Sequence, residues 1–449
     1  GNVNFPGLGT FVAYLFAHDA GGFGLYGTDN VISCGTYNGN STTNSINLGY
    51  EPQWLLIKRT TVAASDWVLL DNMRGLTVAT SDAALCPNNA NAEGATVSVS
   101  GAIRPTATGF DLLNSNSALN VTGSSYIYIA IRRGPMKVPT LGTSVFQPVI
   151  YSGNGSNDRN INTTITPDLI IDMRRDNIMP KYVLDRMRAN GRMYSNLTNA
   201  ESTNTAQFPA NTFNVNQTGI TVSADEVNTS GRTYVLETFR RAPGFFDVVC
   251  YTGTGSATTQ AHNLAAIPEL MIIKKRNSST NGGWLVGFYV SASTGIDGVG
   301  LNDTAALNTR AWSSGNFNSA PTSSVFGIGS FGVINASADT YVAYLFATLA
   351  GVSKVGSYTG TGATQTIACG FAAGARFVLI KRTDTTGDWY VWDSVRGMVV
   401  GTDPSLLLNT TAAEVNANSV YTITTGFQIV STAAGINASG GTYIFLAIA

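Results

Sequence analysis

The sequence predicts an all-β protein made of tandem β-sandwich domains, jelly-roll or lectin-like, of about 100 residues each. Three observations lead there. Short apolar runs alternate with turns rich in glycine (48 residues), asparagine, serine and threonine, the punctuation of many short strands. One set of phrases recurs along the whole chain. Helix signals are scarce: a single helical turn is predicted from Asp403 to Leu408, with Asp403 as its cap and Pro404 at the first helical position.

The recurrence is clearest in two tyrosines. An opening tyrosine stands at Tyr37, Tyr151, Tyr251 and Tyr358, and a closing one at Tyr126, Tyr234, Tyr341 and Tyr443. Each closing tyrosine follows its opener by 83 to 90 residues. That period exceeds the roughly 20 to 50 residues of solenoid repeats. It fits a string of separate small domains.

The fullest copy runs from Lys354 to Ala449. It has an apolar strand ending in two cations, Phe377-Val-Leu-Ile-Lys-Arg382, and an aromatic strand, Asp388-Trp-Tyr-Val-Trp-Asp-Ser-Val-Arg-Gly397. It ends in Tyr443-Ile-Phe-Leu-Ala-Ile448, near-continuously apolar as a strand inside a sandwich is.

Taken in order, residues 1–25 finish a unit rather than begin one. Thr10 to Ala17 nearly repeats Thr340 to Ala347, the closing strand of the third unit. The expectation is therefore a longer polypeptide, or else a strand donated to another subunit. The first sandwich spans 26–134. Residues 135–144 form a linker, following Arg132-Arg-Gly-Pro, because proline cannot donate to a sheet ladder. The second sandwich, 145–243, is the most polar. Its closing strand carries Glu237, which suggests an edge strand or contact with a neighbour, and it ends in a similar run, Arg240-Arg-Ala-Pro. The third, 244–349, has lost the Asp-x-x-Arg-Gly phrase, and the fourth fills 350–449.

Composition excludes several functions. Charge is balanced, 26 basic against 27 acidic residues, and only 12% of residues are charged. A nucleic-acid module needs a basic face to displace counterions, so no nucleic-acid partner is expected. No apolar run reaches the roughly 18 residues of a membrane span. Cys34, Cys86, Cys250 and Cys369 show no CxxC spacing and read as buried free thiols. With two histidines and no ligand cluster, no metal and no cofactor are expected.

Three constellations invite a functional reading. Asp71 with Arg74, Asp185 with Arg188, and Asp393 with Arg396 recur 34 or 35 residues past the opening tyrosine, each followed by Glu93, Glu201 or Glu414. Two carboxylates can serve a glycosidase. The favoured reading is a repeated structural turn, in which carboxylates hold an arginine and glycine supplies an unusual backbone angle. No catalytic residue is assigned. Trp67, Trp284 and Trp389, with Tyr182 in the tryptophan's place in the second unit, are either a platform for sugar rings or core aromatics. The pairs Lys58-Arg59, Arg174-Arg175, Lys275-Arg276 and Lys381-Arg382 read as solvated strand ends.

Several phrases together resemble a known family. They are Cys250-Tyr-Thr-Gly-Thr-Gly255, Phe377-Val-Leu-Ile-Lys-Arg-Thr383, Trp392-Asp-Ser-Val-Arg-Gly397, Asn409-Thr-Thr-Ala-Ala-Glu414 and Asn437-Ala-Ser-Gly-Gly-Thr-Tyr443. The chain resembles a tandem-repeat family of uncharacterised function found in tail and fibre-like virion proteins of tailed bacteriophages. The resemblance implies a structural, non-enzymatic virion protein, made in the host cytoplasm. Its partners would be other virion proteins, further copies of itself as a trimer, and a host-surface glycan. The alternatives are a carbohydrate-binding module or adhesin using Trp67, Trp284 and Trp389, and a polysaccharide depolymerase using Asp393.

Overall fold

The computed structural model describes residues 12–24, 27–78, 83–95, 97–134, 137–209, 212–213, 219–289, 295–307, 309–310 and 315–449. They form four main antiparallel sheets, each backed by a small sheet of two or three strands. The chain is all-β.

All four main sheets begin with the same four strands in the same spatial order. In the first sandwich these are Ile32–Asn38, Ser125–Arg132, Pro52–Arg59 and Trp67–Asp71. In the second they are Phe146–Ser152, Thr233–Phe239, Leu169–Arg174 and Tyr182–Asp185. In the third they are Phe246–Thr252, Thr340–Phe346, Leu270–Lys275 and Trp284–Tyr289. In the fourth they are Ser353–Thr359, Thr442–Ile448, Phe377–Arg382 and Trp389–Asp393. We call them the opening, closing, inner and aromatic strands.

The two periodic tyrosines explain why opening and closing strands pair in one register. Tyr37 lies opposite Tyr126, Tyr151 opposite Tyr234, Tyr251 opposite Tyr341 and Tyr358 opposite Tyr443. Each pair is stacked, with ring centroids 4.8 to 5.2 Å apart. The opening hydroxyls donate to the carbonyls of Leu119, Val227, Ile334 and Ile436. The closing hydroxyls accept from the backbone N–H of Val121, Thr229, Ala336 and Ala438. Between those two contacts sits a buried asparagine, Asn120, Asn228, Asn335 or Asn437. Its Oδ1 accepts from the main chain just past the opening strand, at Asn40, Asn154, Thr254 or Thr361. Burying an amide is favourable only when its polar atoms are satisfied, and each of these is.

Each main sheet packs one face on its small sheet, giving four separate sandwich cores. The second faces of sheets two, three and four meet in a fifth core that all three share. Phe239 of the second sandwich touches Phe146 of its own sheet, Phe246 and Phe346 of the third, and Phe377 of the fourth. This differs from the expectation of beads on a string. Strands apolar on both faces need cover on both, and here neighbouring sandwiches supply the second cover.

The first sandwich docks beside this body through ions. Arg241 donates to Glu51 at 2.7 and 3.0 Å and to Asp247 at 2.7 Å, all fully or nearly buried. The arginine-rich run that ends the second sandwich, from Arg240, is thus part of an interface. Of the other run, Pro135 and Met136 lie outside the described residues. So do Thr10 and Phe11. Among the described residues Val12 to Ala17 pair with no strand, and Val12, Tyr14 and Leu15 are exposed.

Two expectations need correction. Pro404–Leu407 is a strand, not a helical turn; it pairs with the aromatic strand at Val391 and Tyr390, which buries Leu406. Asp403 therefore caps no helix; it accepts from the N–H groups of Ser419 and Val420. The strand carrying Glu237 is not an edge: it lies between the opening and inner strands, and Glu237 is fully buried.

Candidate functional site

In the second, third and fourth sandwiches the residues at the tryptophan position and the Asp-x-x-Arg turns lie at the joints between sandwiches. Each Asp-x-x-Arg phrase forms the same turn. Asp185 accepts from the backbone N–H of Arg188 and holds its Nε at 2.5 Å. Asp71 binds the Nε of Arg74 at 2.6 Å, and Asp393 does the same with Arg396. Glycine follows at Gly75 and Gly397, with φ of 127° and 121°, a region that penalises a Cβ. In the third sandwich the aspartate's place in the register is taken by Phe288, buried in the shared core.

From these turns the contacts run on into the next sandwich. Arg188 reaches Glu201 at 3.0 Å, and Glu201 binds Arg276 of the third sandwich at 2.7 Å. Arg396 reaches Glu414 at 3.2 Å, and Glu414 binds Arg175 of the second sandwich at 2.9 Å. Tyr344 of the third sandwich donates to Asp185 at 2.7 Å. Glu237 of the second lies 3.9 Å from Arg396.

Three backbone hydrogen bonds mark the same joint three times. Glu201 N–H donates to Arg276 at 2.6 Å, Leu307 N–H to Thr383 at 2.9 Å, and Glu414 N–H to Arg175 at 2.8 Å. The contacts run from the second sandwich to the third, the third to the fourth, and the fourth back to the second. They close a ring.

The tryptophans belong to the ring as well. Trp284 and Trp389 are 2% and 1% exposed. Their indole N–H groups donate across joints, to the carbonyls of Tyr194 and Gly300, both at 2.8 Å. Neither presents a ring face to solvent. Trp67 of the first sandwich is half-buried. In the second sandwich the register places Lys181, not Tyr182, at the tryptophan position, four residues before Asp185. Lys181 makes the corresponding contact, donating to the carbonyl of Ala412 at 2.9 Å. Tyr182 faces its own core and donates to Glu226.

The basic strand ends are not uniformly solvated. Lys275 is buried and pairs with Asp339 at 2.7 Å; Lys381 and its register equivalent Lys274 are buried as well, and these two donate to the main-chain carbonyls of Gly387 and Gly282 respectively. Burial brings both ammonium groups down to about 8.

Sequence reasoning missed the buried asparagines, the Arg241 cluster and the acid Asp172. Asparagine is too common in this chain for four copies to stand out. Their signal was a fixed offset, each lying six residues before the closing tyrosine.

Two of the acids predict opposite pH effects. Burial alone would raise Glu201, but Arg188 and Arg276 hold it at about 2. A lowered folded pKa gives stability that is present above the ordinary value of 4.5 and lost as pH falls toward 2. Asp172 is pushed up to about 8 by burial, against the opposing pull of Tyr151 and nearby cations. Its contribution is present below pH 3.8 and lost as pH rises through about 8. Each slope is at most about 1.4 kcal/mol per pH unit. Urea midpoints measured against pH should therefore show Glu201→Gln flattening the acid limb and Asp172→Asn flattening the decline above pH 4. Unchanged profiles would show that neither group is linked to folding.

Among the described residues there is no group of three or more histidines, cysteines or acids placed to hold a metal ion, and no helix long and apolar enough to cross a membrane. The four cysteines are free thiols.

The profile of a family described as a domain of unknown function, DUF7483, matches residues 2–135 and 142–449. The chain belongs to the DUF7483 family. No curated protein matches it. In this DUF7483 chain the second matched segment spans the three sandwiches of the ring. The first sandwich falls in the other segment.

Proposed function

We propose that this protein is a structural component of a tailed-bacteriophage virion, part of its tail or tail fibre, built from tandem copies of one sandwich. One observation carries the reading: in the second, third and fourth sandwiches the recurring residues at the tryptophan position and in the Asp-x-x-Arg turns close internal joints. Trp284 and Trp389 donate across joints, and the Asp185–Arg188–Glu201 and Asp393–Arg396–Glu414 chains end on the arginine of another sandwich. A binding protein or an enzyme would aim its recurring polar groups into an open cleft. An architectural part aims them at its own seams. The family resemblance of the strand and turn phrases supplies the virion context, and attachment to a host surface would use the outward loops of the ring.

Gold-labelled antibody against this chain, applied to purified particles, should decorate the tail, and mass spectrometry of those particles should find the chain. Particles that lack it would remove the proposal.

A further inference from the structure

The first sandwich has the same joint-forming face as the others, and it is open. Trp54, Leu56, Trp67, Leu69, Ile127 and Ile129 line this face; Ile127 is 37% exposed and the other five are half-buried. The six equivalent positions of the third sandwich are all buried in the shared core. A contiguous apolar sheet face of this kind marks an interaction site.

The ring shows what such a face packs against, and how each seat is specified. A seat has two sides. On one side the turn either carries the Asp–Arg–Glu chain, as in the second and fourth sandwiches, or is apolar, as in the third with Phe288. On the other side the receiving sandwich presents the residue three past its closing tyrosine and the residue after its inner strand. The receivers of the charged turns present Tyr344 with Arg276, and Glu237 with Arg175. At the remaining joint, where the turn is apolar, the fourth sandwich presents Leu446 and Thr383.

The first sandwich reads as a fourth-type seat. Its turn is charged: Arg74 holds Asp71 at 2.6 Å and Glu93 at 2.9 Å. Its receiving side is apolar: Ile129 takes the place of Leu446, and Thr60 that of Thr383. The Glu93 side chain is 40% exposed, whereas Glu201 and Glu414, each paired with an arginine of another sandwich, are 10% and 15% exposed. Three copies of the first sandwich around an axis would set Asp71 against Ile129 and Glu93 against Thr60, with no cation to receive either acid. The stretch Thr10 to Ala17, just before this sandwich, nearly repeats the closing strand of the third, the sandwich that precedes the fourth in the ring.

We propose that the open face of the first sandwich seats two further sandwiches of this same family, making it the last member of a second three-sandwich ring. The one that meets Glu93 carries an arginine at the position of Arg175 and a polar residue at that of Glu237. The one that meets Ile129 and Thr60 has an apolar turn, as the third sandwich does.

The second and third sandwiches of this chain have those properties, so they serve as the probe. A chain extended by a second copy of residues 142–347 placed directly before His18 should complete the ring. Amide exchange in Pro52–Arg59 and Ser125–Arg132 should then slow by about tenfold or more relative to the 449-residue chain. Glu93→Arg should undo that protection, and Arg175→Glu in the added copy alone should restore it. The unextended chain should behave as a monomer in light scattering. Unchanged exchange in the extended chain overturns the proposal. So does a stable trimer of the unextended chain with those strands protected, since second copies would then be the occupant.

Discussion

Phe239→Ala is expected to destabilise the second, third and fourth sandwiches together, by about 3–5 kcal/mol. The side chain is 1% exposed and its ring lies 5.0 Å from that of Phe146, 5.7 Å from Phe377, 5.8 Å from Phe346 and 6.0 Å from Phe246. Truncation therefore opens a cavity bounded by three sandwiches, none of which can collapse into it alone. Interiors are packed like crystals, so the surrounding rings relax only in part. A core residue of one independent domain would weaken that domain only. Here amide exchange should quicken in the closing strands of all three, Thr233–Phe239, Thr340–Phe346 and Thr442–Ile448. The first sandwich, whose own core does not include Phe239, should be spared. Faster exchange confined to the second sandwich would mean that the common core does not couple its members.

Arg188→Met is expected to cost a similar amount, about 3–5 kcal/mol, because it leaves the buried Asp185 without its cation. The guanidinium is fully buried and binds Asp185 at 2.5 Å, Glu201 at 3.0 Å, the Tyr344 hydroxyl at 3.0 Å and the Gly191 carbonyl at 2.8 Å. Methionine preserves much of the volume, so most of the effect is electrostatic. Adding Asp185→Asn to Arg188→Met should recover part of the loss, since it removes the orphaned charge. Denaturant midpoints of the two single variants and the double variant form the test. Strictly additive effects, or a loss under about 1 kcal/mol, would show that this network contributes little.

How the chain divides between legible and illegible follows from where each signal comes from. The opening and closing tyrosines were readable because a stacked pair is a local requirement of two adjacent strands, repeated wherever those strands pair. The Asp-x-x-Arg-Gly turn was readable because its geometry closes within a few residues. Lys181 was misplaced by one residue because hydropathy aligns Tyr182 with tryptophan, while strand register, a pairing between distant segments, assigns the position. Lys275 and Lys381 read as solvated because their charge suggested water; Asp339, brought from a distant strand, pairs with Lys275, and the Gly387 carbonyl in the adjoining turn accepts from Lys381, which makes burial tolerable.

The sequence by itself determined the all-β class, the recurrence of one strand pattern and the residues that mark it, since these depend on periodicity and turn chemistry along a single stretch. It also showed strands apolar on both faces. Only the tertiary structure decided what covers the second face: a shared core for three sandwiches and an open sheet on the first. Apolar surface is non-directional and can be buried against any apolar partner. The choice of neighbour lies in the few charged and aromatic groups that meet across each joint, and these become partners only when the chain has brought them together.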